Sequence, residues 1–376
     1  MPPTAPTTTS PTAAGPTAPA SPSPALPQRP RLRRQVPLLW RAPGALQIGL
    51  DSACAVVVHG ADEGHLRWLT GLDGTLRAED HVARLVGQGR AAVEAWTLLD
   101  ALARARALDD GPDPDATGPS VTRERLADVR DTLALTHDDP AGGRRELDRR
   151  AAALVEVRGA HRLGAAVATM LAAAGVGRLR VVRRPGDPAE VGWVDVGPLG
   201  PGPAALDLPA APAVRASALA AAPGVDLGPQ GPADVVVLAV CSPVHPDIAD
   251  DLVASGTPHL IAAVDGPTAQ LGPWVVPGVT ACLRCEAEHR TDRDPAWPLL
   301  LAQLASRVRR PDADPLAAAL VGSSAAAHVL AALARGPGQP GPPSVGAVLH
   351  ARAPAWWWSR RPLAPHPRCW CPSVRG

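Results

Sequence analysis

Apolar positions along the chain change their period several times, and each change predicts an element. Val36 to Leu50 reads as extended chain broken by the turn Ala42-Pro43-Gly44. The β-branched run Ala53 to His59 predicts a strand. His65 to Thr70 opens a helical pattern, Leu72 to Thr75 is a turn, and a second helix is predicted over Ala78 to Gly87. A third is expected over Ala91 to Leu108, with Val93, Trp96, Leu99 and Leu102 at helical spacing. Short strands beside small helices suggest a winged-helix-like α+β module over residues 36–110. Asp109 to Ser120 has the turn chemistry of a linker, and the polar stretch up to Arg150 shows no clear element, so 111–150 reads as linker.

A different rhythm begins at Ala151. An apolar run (152–157) leads into Gly159-Ala-His161-Arg-Leu-Gly164, then an alanine-rich helix to Ala174, then a second apolar run from Leu179 to Val182. Strand, glycine turn, helix and strand make one βαβ unit. A helix at Val214 to Ala222, a strand at Asp234 to Val240, a helix near Pro246 to Ser255 and a strand at His259 to Val264 continue the alternation. The fold class expected for 151–376 is therefore α/β: a mostly parallel sheet, Rossmann-like, covered on both faces. A helix is expected over Ser323 to Arg335, with extended chain from Val345.

Composition narrows the chemistry. The chain has 45 prolines and 35 glycines, ten tryptophans, and no Phe, Tyr, Lys or Asn. Without lysine there is no Schiff-base nucleophile and no P-loop lysine. A net charge of +1 with no basic block argues against nucleic acid or anionic membrane as partner. No stretch reaches the roughly 18 apolar residues of a spanning helix. The Pro/Thr/Ala tract over residues 1–35 lacks apolar mass, so it is expected to be a disordered tail and not a signal peptide. A cytoplasmic, reducing setting follows, in which clustered cysteines are metal ligands before they are disulfides.

Four of the six cysteines form two tight pairs, Cys282-Leu-Arg-Cys285 and Cys369-Trp-Cys371. Zinc takes four thiolates in a tetrahedron, and each pair would bring two on one turn. Structural zinc outranks two unrelated pairs of buried thiols, and outranks a redox CxxC pair, which usually opens a helix beside a thioredoxin-type strand. Cys54 and Cys241 lie in apolar runs and are expected as buried small hydrophobes. The glycine turn is less specific. In Gly159-x-His161-x-x-Gly164 a histidine replaces the glycine that would let a phosphate approach. A purely structural turn and a nucleotide site are equally weighted.

Residues 151–182, Pro277 to Cys285, Glu286 to Pro298 and His366-Pro-Arg-Cys-Trp-Cys-Pro372 together resemble the E1-like ThiF/MoeB superfamily, in particular actinobacterial ThiF-like proteins, some of which accompany peptide-modification systems. The N-terminal module resembles the winged-helix peptide-clamp domains of some peptide-maturation proteins. The resemblance implies a Rossmann-type core, zinc on Cys282, Cys285, Cys369 and Cys371, and ATP with magnesium at a turn containing Gly159, His161 and Gly164. It further places Arg215 at a basic phosphate contact and Asp234 at the start of the family's Asp-plus-apolar strand. Three departures stand out. Arg183-Arg184 replace the ribose-binding acid, Gly197 to Gly202 replaces an Asn and Arg-Gln loop, and Val240-Cys241-Ser242 replaces the magnesium carboxylate.

The implied activity is ATP-dependent adenylation of a peptide or protein carboxylate, with a peptide or small protein as substrate and a homodimer as the assembly. An alternative keeps the fold without the chemistry: an inactive scaffold that binds a leader peptide or a partner modification enzyme. A winged-helix DNA binder is disfavoured by the near-neutral charge.

Overall fold

The computed structural model describes residues 26–50, 55–111, 120–136, 142–241, 243–305, 313–334 and 341–371. The tail over 1–25, Cys54 and Pro372 lie outside the described residues, as does the side chain of Cys241. The chain divides into two compact units, residues 1–116 with 134–142 and residues 117–133 with 143–376.

The first unit contains β1 (Pro30–Leu32), β2 (Leu38–Ala42), β3 (Ala45–Ile48), β4 (Val56–His59), α1 (Glu63–Thr70), α2 (Ala78–Val86), α3 (Ala92–Arg104) and β5 (Leu108–Asp110). Strands β2, β3 and β4 form an antiparallel sheet, and β1 pairs with β5. Leu46 and Ile48 alternate inward on β3 and meet Trp68, Leu69, Leu85, Leu99 and Leu102 from the helices. Asp62 caps α1 by accepting the His65 N–H, and the buried His65 ring bridges Asp62 and Glu94. The third helix differs from expectation. It ends at Arg104, and its buried stripe is Ala95, Leu98, Leu99 and Leu102, while Val93 and Trp96 face outward. Leu108 is not helical; it enters β5, which satisfies its backbone against β1.

The second stretch begins with α4 (Ser120–Arg125), α5 (Ala127–Thr136) and α6 (Gly142–Ala152). The core follows as β6 (Leu154–Arg158), α7 (Arg162–Ala173), β7 (Arg178–Val182), α8 (Ala210–Ala221), β8 (Val235–Cys241), α9 (Asp250–Ala254), β9 (His259–Asp265), β10 (Thr268–Val275), α10 (Leu283–Arg293), α11 (Trp297–Ala305), α12 (Pro315–Leu333), β11 (Ala347–Arg352) and β12 (Ser359–Pro362). The sheet order is β12-β11-β10-β9-β8-β6-β7. Strands β7, β6, β8 and β9 are parallel, and β10, β11 and β12 add antiparallel ladders. This is the expected α/β class.

Helices α7, α8 and α12 cover one face, burying Val157, Val167, Leu171, Val237, Leu260 and Val321 among others. On the other face α9 and Leu283 of α10 cover Val236, Leu238, Val240 and Ile261. Helix α12 starts at Pro315, capped by Asp314, well before the expected Ser323. An 18-residue window of this 19-residue helix has a mean hydropathy of 1.8, so by length and composition it passes as a membrane span, against expectation. Alanine supplies much of that apolar length, and one face of the helix is buried against α7, β9 and β10. Helices α7 and α12 approach closely because Gly322 faces Ala166: a Cβ on Gly322 would lie 2.6 Å from the Ala166 Cβ.

Candidate functional site: a glycine turn and a four-cysteine cluster

Strands β7 and β8 leave β6 on opposite sides, so the carboxyl ends of β6 and β8 flank a topological switch point, where open α/β sheets hold their ligands. The glycine turn sits there. Gly159 has φ +148°, and a Cβ at that position would lie 2.8 Å from the Ala239 carbonyl oxygen. A Cβ on Gly164 would lie 1.9 Å from the Gly159 oxygen, so this glycine lets α7 close onto β6. Both glycines meet the backbone demands of the turn.

What fills the turn is the protein itself. The Ala160 N–H donates to Asp187 Oδ2 at 2.8 Å, and the Arg184 N–H donates to the same oxygen at 2.8 Å. Asp187 is 5% exposed, His161 1%. His161 is the N-cap residue of α7 but makes no side-chain cap bond. Its Nε2 lies 3.2 Å from the Ala239 carbonyl, which can only accept, so the proton belongs on Nε2. Nδ1 is then a buried acceptor without a hydrogen-bond partner among the described residues. Burial pushes the His161 pKa down, and the nearby Asp187 carboxylate, 3.8 Å away, only partly offsets this, so the ring is neutral at pH 7. Arg162 is equally committed. Its guanidinium donates to the carbonyls of Ala313 (2.7 Å), Val196 (2.8 Å) and Trp193 (3.3 Å).

The other residues do not join the turn. Arg215 lies inside α8, half-buried, with no hydrogen bond or ion pair among the described residues. Asp234 closes the opposite end of the strands: its carboxylate accepts the Leu154 N–H at 2.8 Å, and its own N–H donates to the Leu154 carbonyl. Strand β8 runs out through Val240 and Cys241 without a carboxylate. The residues present therefore do not fit a nucleotide phosphate in the usual pose. Sequence reasoning missed Asp187, which sits beyond the tight turn Arg184-Pro-Gly-Asp187 and is folded back onto the glycine turn.

The cysteines converge. Cys282 is the N-cap of α10 and Cys285 lies one turn on, so helical spacing turns both sulfurs to one side. Cys369 and Cys371 meet them from the C-terminal segment. The four sulfurs lie within 4.8 Å of one another, with Cys282–Cys285 at 3.9 Å, Cys282–Cys369 at 3.6 Å and Cys285–Cys371 at 3.5 Å. A tetrahedron with Zn–S of about 2.3 Å has edges of roughly 3.8 Å, so the spacing fits a four-thiolate metal site. All four side chains are buried, packed by Val275, Ala281, Val348 and Leu363. The Cys285 thiol is pushed up by hydrogen bonding to Cys282 and by burial, and the Cys369 thiol is pushed up by burial. Only a cation would reverse this.

The C-terminal segment is braced on α10. His366 Nε2 donates to Asp292 at 2.8 Å, and Nδ1 accepts the Arg368 N–H at 3.1 Å. Arg368 spans Glu288 and Asp292, while Arg361 reaches the buried Glu286 at 2.9 Å. The charged stretch His289 to Asp294 thus serves the brace as well as the solvated end of α10. In the tryptophan run, Trp356 and Trp358 pack on the core, and Trp357 is 81% exposed.

Solved structures share this architecture along nearly the whole chain. E. coli MccB with AMPCPP and MccA superposes with a TM-score of 0.63 at 14% identity, covering 90% of this chain and 98% of that one. The fold is of the E1 type. The microcin C7 biosynthetic enzyme MccB in complex with N-formylated MccA gives 0.61 at 14% identity, covering 91% and 99%. PaaA gives 0.61 at 16% identity, covering 88% and 99%. No family model and no curated protein matches the sequence.

Proposed function

We propose that this E1-like protein serves peptide maturation by binding a peptide, or the enzyme that modifies it, as a metal-stapled scaffold. The extent of the likeness carries the reading: the match to MccB in complex with MccA runs through 90% of the chain, N-terminal unit included. That unit offers a fitting surface. Strand β2 is an edge of its sheet, and Leu39 and Trp40 on it are 42% and 44% exposed. An edge strand with free backbone groups and apolar side chains accepts an extended peptide. Zinc is the metal we assign to Cys282, Cys285, Cys369 and Cys371, in keeping with four buried thiols and a reducing, cytoplasmic setting. The test is an anisotropy titration of the full chain with labelled MccA peptide and with any short peptide encoded next to its gene. Saturable binding, weakened at least about tenfold by Trp40→Ala, supports the scaffold; a flat titration ends this reading.

The second reading is ATP-dependent adenylation of a peptide carboxylate, favoured by the likeness to MccB solved with AMPCPP. Positioning and charge stabilisation would do the catalytic work. The occupied glycine turn weighs against it. Pyrophosphate exchange with MgATP and the peptide separates the two: exchange supports adenylation, and peptide binding without exchange supports the scaffold.

A further inference from the structure

The cradle for an anion is still built at the start of α7, yet the anion in it belongs to the protein. Gly159 and Gly164 preserve the backbone of a phosphate-binding turn. The helix end, with its partial positive charge, faces the turn. The amide that would meet a phosphate, Ala160 N–H, is spent on Asp187 Oδ2 at 2.8 Å. The loop that presents Asp187 is closed by its own N–H to the Arg184 carbonyl at 3.1 Å, and Arg183 donates to the carbonyls of Asp187 (2.9 Å) and Pro188 (3.1 Å). The His161 ring fills the space beside it against Ala239.

We infer that Asp187 is an internal stand-in for phosphate: the chain excludes nucleotide by occupying an intact cradle with its own carboxylate, with the His161 ring closing the remaining space. This goes beyond the scaffold reading and does not depend on peptide binding. A rival role for Asp187 is that of a ribose-binding acid displaced along the loop. The two roles predict opposite signs. A ribose ligand must offer oxygens to an incoming sugar, whereas Asp187 is 5% exposed and one of its oxygens already accepts two backbone N–H groups.

The experiment is calorimetric titration of the full chain with MgATP, and separately with inorganic pyrophosphate. Wild type, Asp187→Ala, Asp187→Asn and the double variant His161→Gly with Asp187→Ala are compared, each checked for folding by circular dichroism. Wild type is expected to give no saturable heat, and the double variant to bind MgATP at least about tenfold more tightly than wild type. Asp187→Asn keeps the size and one acceptor oxygen but removes the charge, so it carries the test where Asp187→Ala unfolds. Binding by wild type that Asp187→Ala weakens overturns the inference in favour of the ribose role. Folded variants that all stay silent also overturn it, because the carboxylate is then not what keeps nucleotide out.

Discussion

Two helices of the same unit begin at clusters of acceptor groups. At the start of α10, four buried sulfurs face one another; the Cys285 thiol is held up in pKa by its hydrogen bond to Cys282 and by burial, and the Cys369 thiol by burial. At the start of α7, one carboxylate meets two backbone N–H groups and a neutral imidazole, and it is hydrogen-bonded from within the chain. The first set has the spacing of a four-thiolate metal site. The second has its carboxylate already paired within the chain. The contrast separates a cluster spaced to take a cation from a turn whose backbone amide is already paired with the chain's own carboxylate.

The comparison can be broken most forcefully at the cysteines. Cys285→Ser should abolish stoichiometric zinc in elemental analysis and lower stability by several kcal/mol, a fraction of the ~10–16 kcal/mol known for structural zinc in small peptides. Unchanged metal content would show that the cluster does not bind zinc as a unit. Next comes Gly164→Ala. Its Cβ would meet the Gly159 oxygen at 1.9 Å, and a loss of about 3 kcal/mol in urea unfolding is expected, since backbone cannot step aside. A neutral outcome would mean that the turn is looser than its contacts imply.

Acid should act on buried histidines in a defined direction. Burial pushes His328 down to about 4 from its ordinary 6.5, and His161 is shifted the same way. The unfolded chain therefore binds more protons below pH 6.5, so stability is complete above 6.5 and falls as pH drops toward the folded value. For His328 the loss reaches about 3 kcal/mol at most by pH 4. His328→Asn, which can keep the bond to Ser344 Oγ, should flatten the stability profile between pH 6.5 and 4. A profile identical to wild type would show that His328 does not titrate this way. The smallest effect belongs to Arg368→Ala. It should leave the metal stoichiometry intact while speeding extraction by a chelator within about tenfold. A complete loss of metal would make the brace as important as the ligands.

Much of this was legible before any coordinates. Paired cysteines announce themselves by spacing, and the alternation of apolar runs with alanine-rich stretches gave the order of strands and helices from Leu154 to Asp265. Hidden features had physical causes. Helix α10 is strongly charged and weakly amphipathic, so no apolar stripe marked it. Strand β10 is interrupted by Gly272-Pro273, where its register against β9 shifts. In α3 the pattern selects Val93 and Trp96, but Ala95, Leu98, Leu99 and Leu102 form the buried face of a helix that packs beside α2. Asp187 is hidden in the sequence because the expected position for such an acid is directly after β7, where Arg183 and Arg184 stand; the compact Pro185-Gly186 turn returns the chain to the glycine turn. The convergence of two distant cysteine pairs is a wager on the sequence, but only the fold brings all four sulfurs within 4.8 Å of one another.

The placement of α12 has a consequence for synthesis. The parallel strands are complete by Asp265, yet the helix that covers much of their apolar face begins only at Pro315. At about 5–20 residues per second, those 49 intervening residues hold the ribosome for about 2–10 s. Throughout that interval the part of this valine- and alanine-rich face that α12 covers, beside α7 and α8, stands uncovered on the nascent chain. Chaperone demand should therefore peak before residue 333 has emerged, and truncation ahead of α12 should yield aggregates instead of a smaller folded domain.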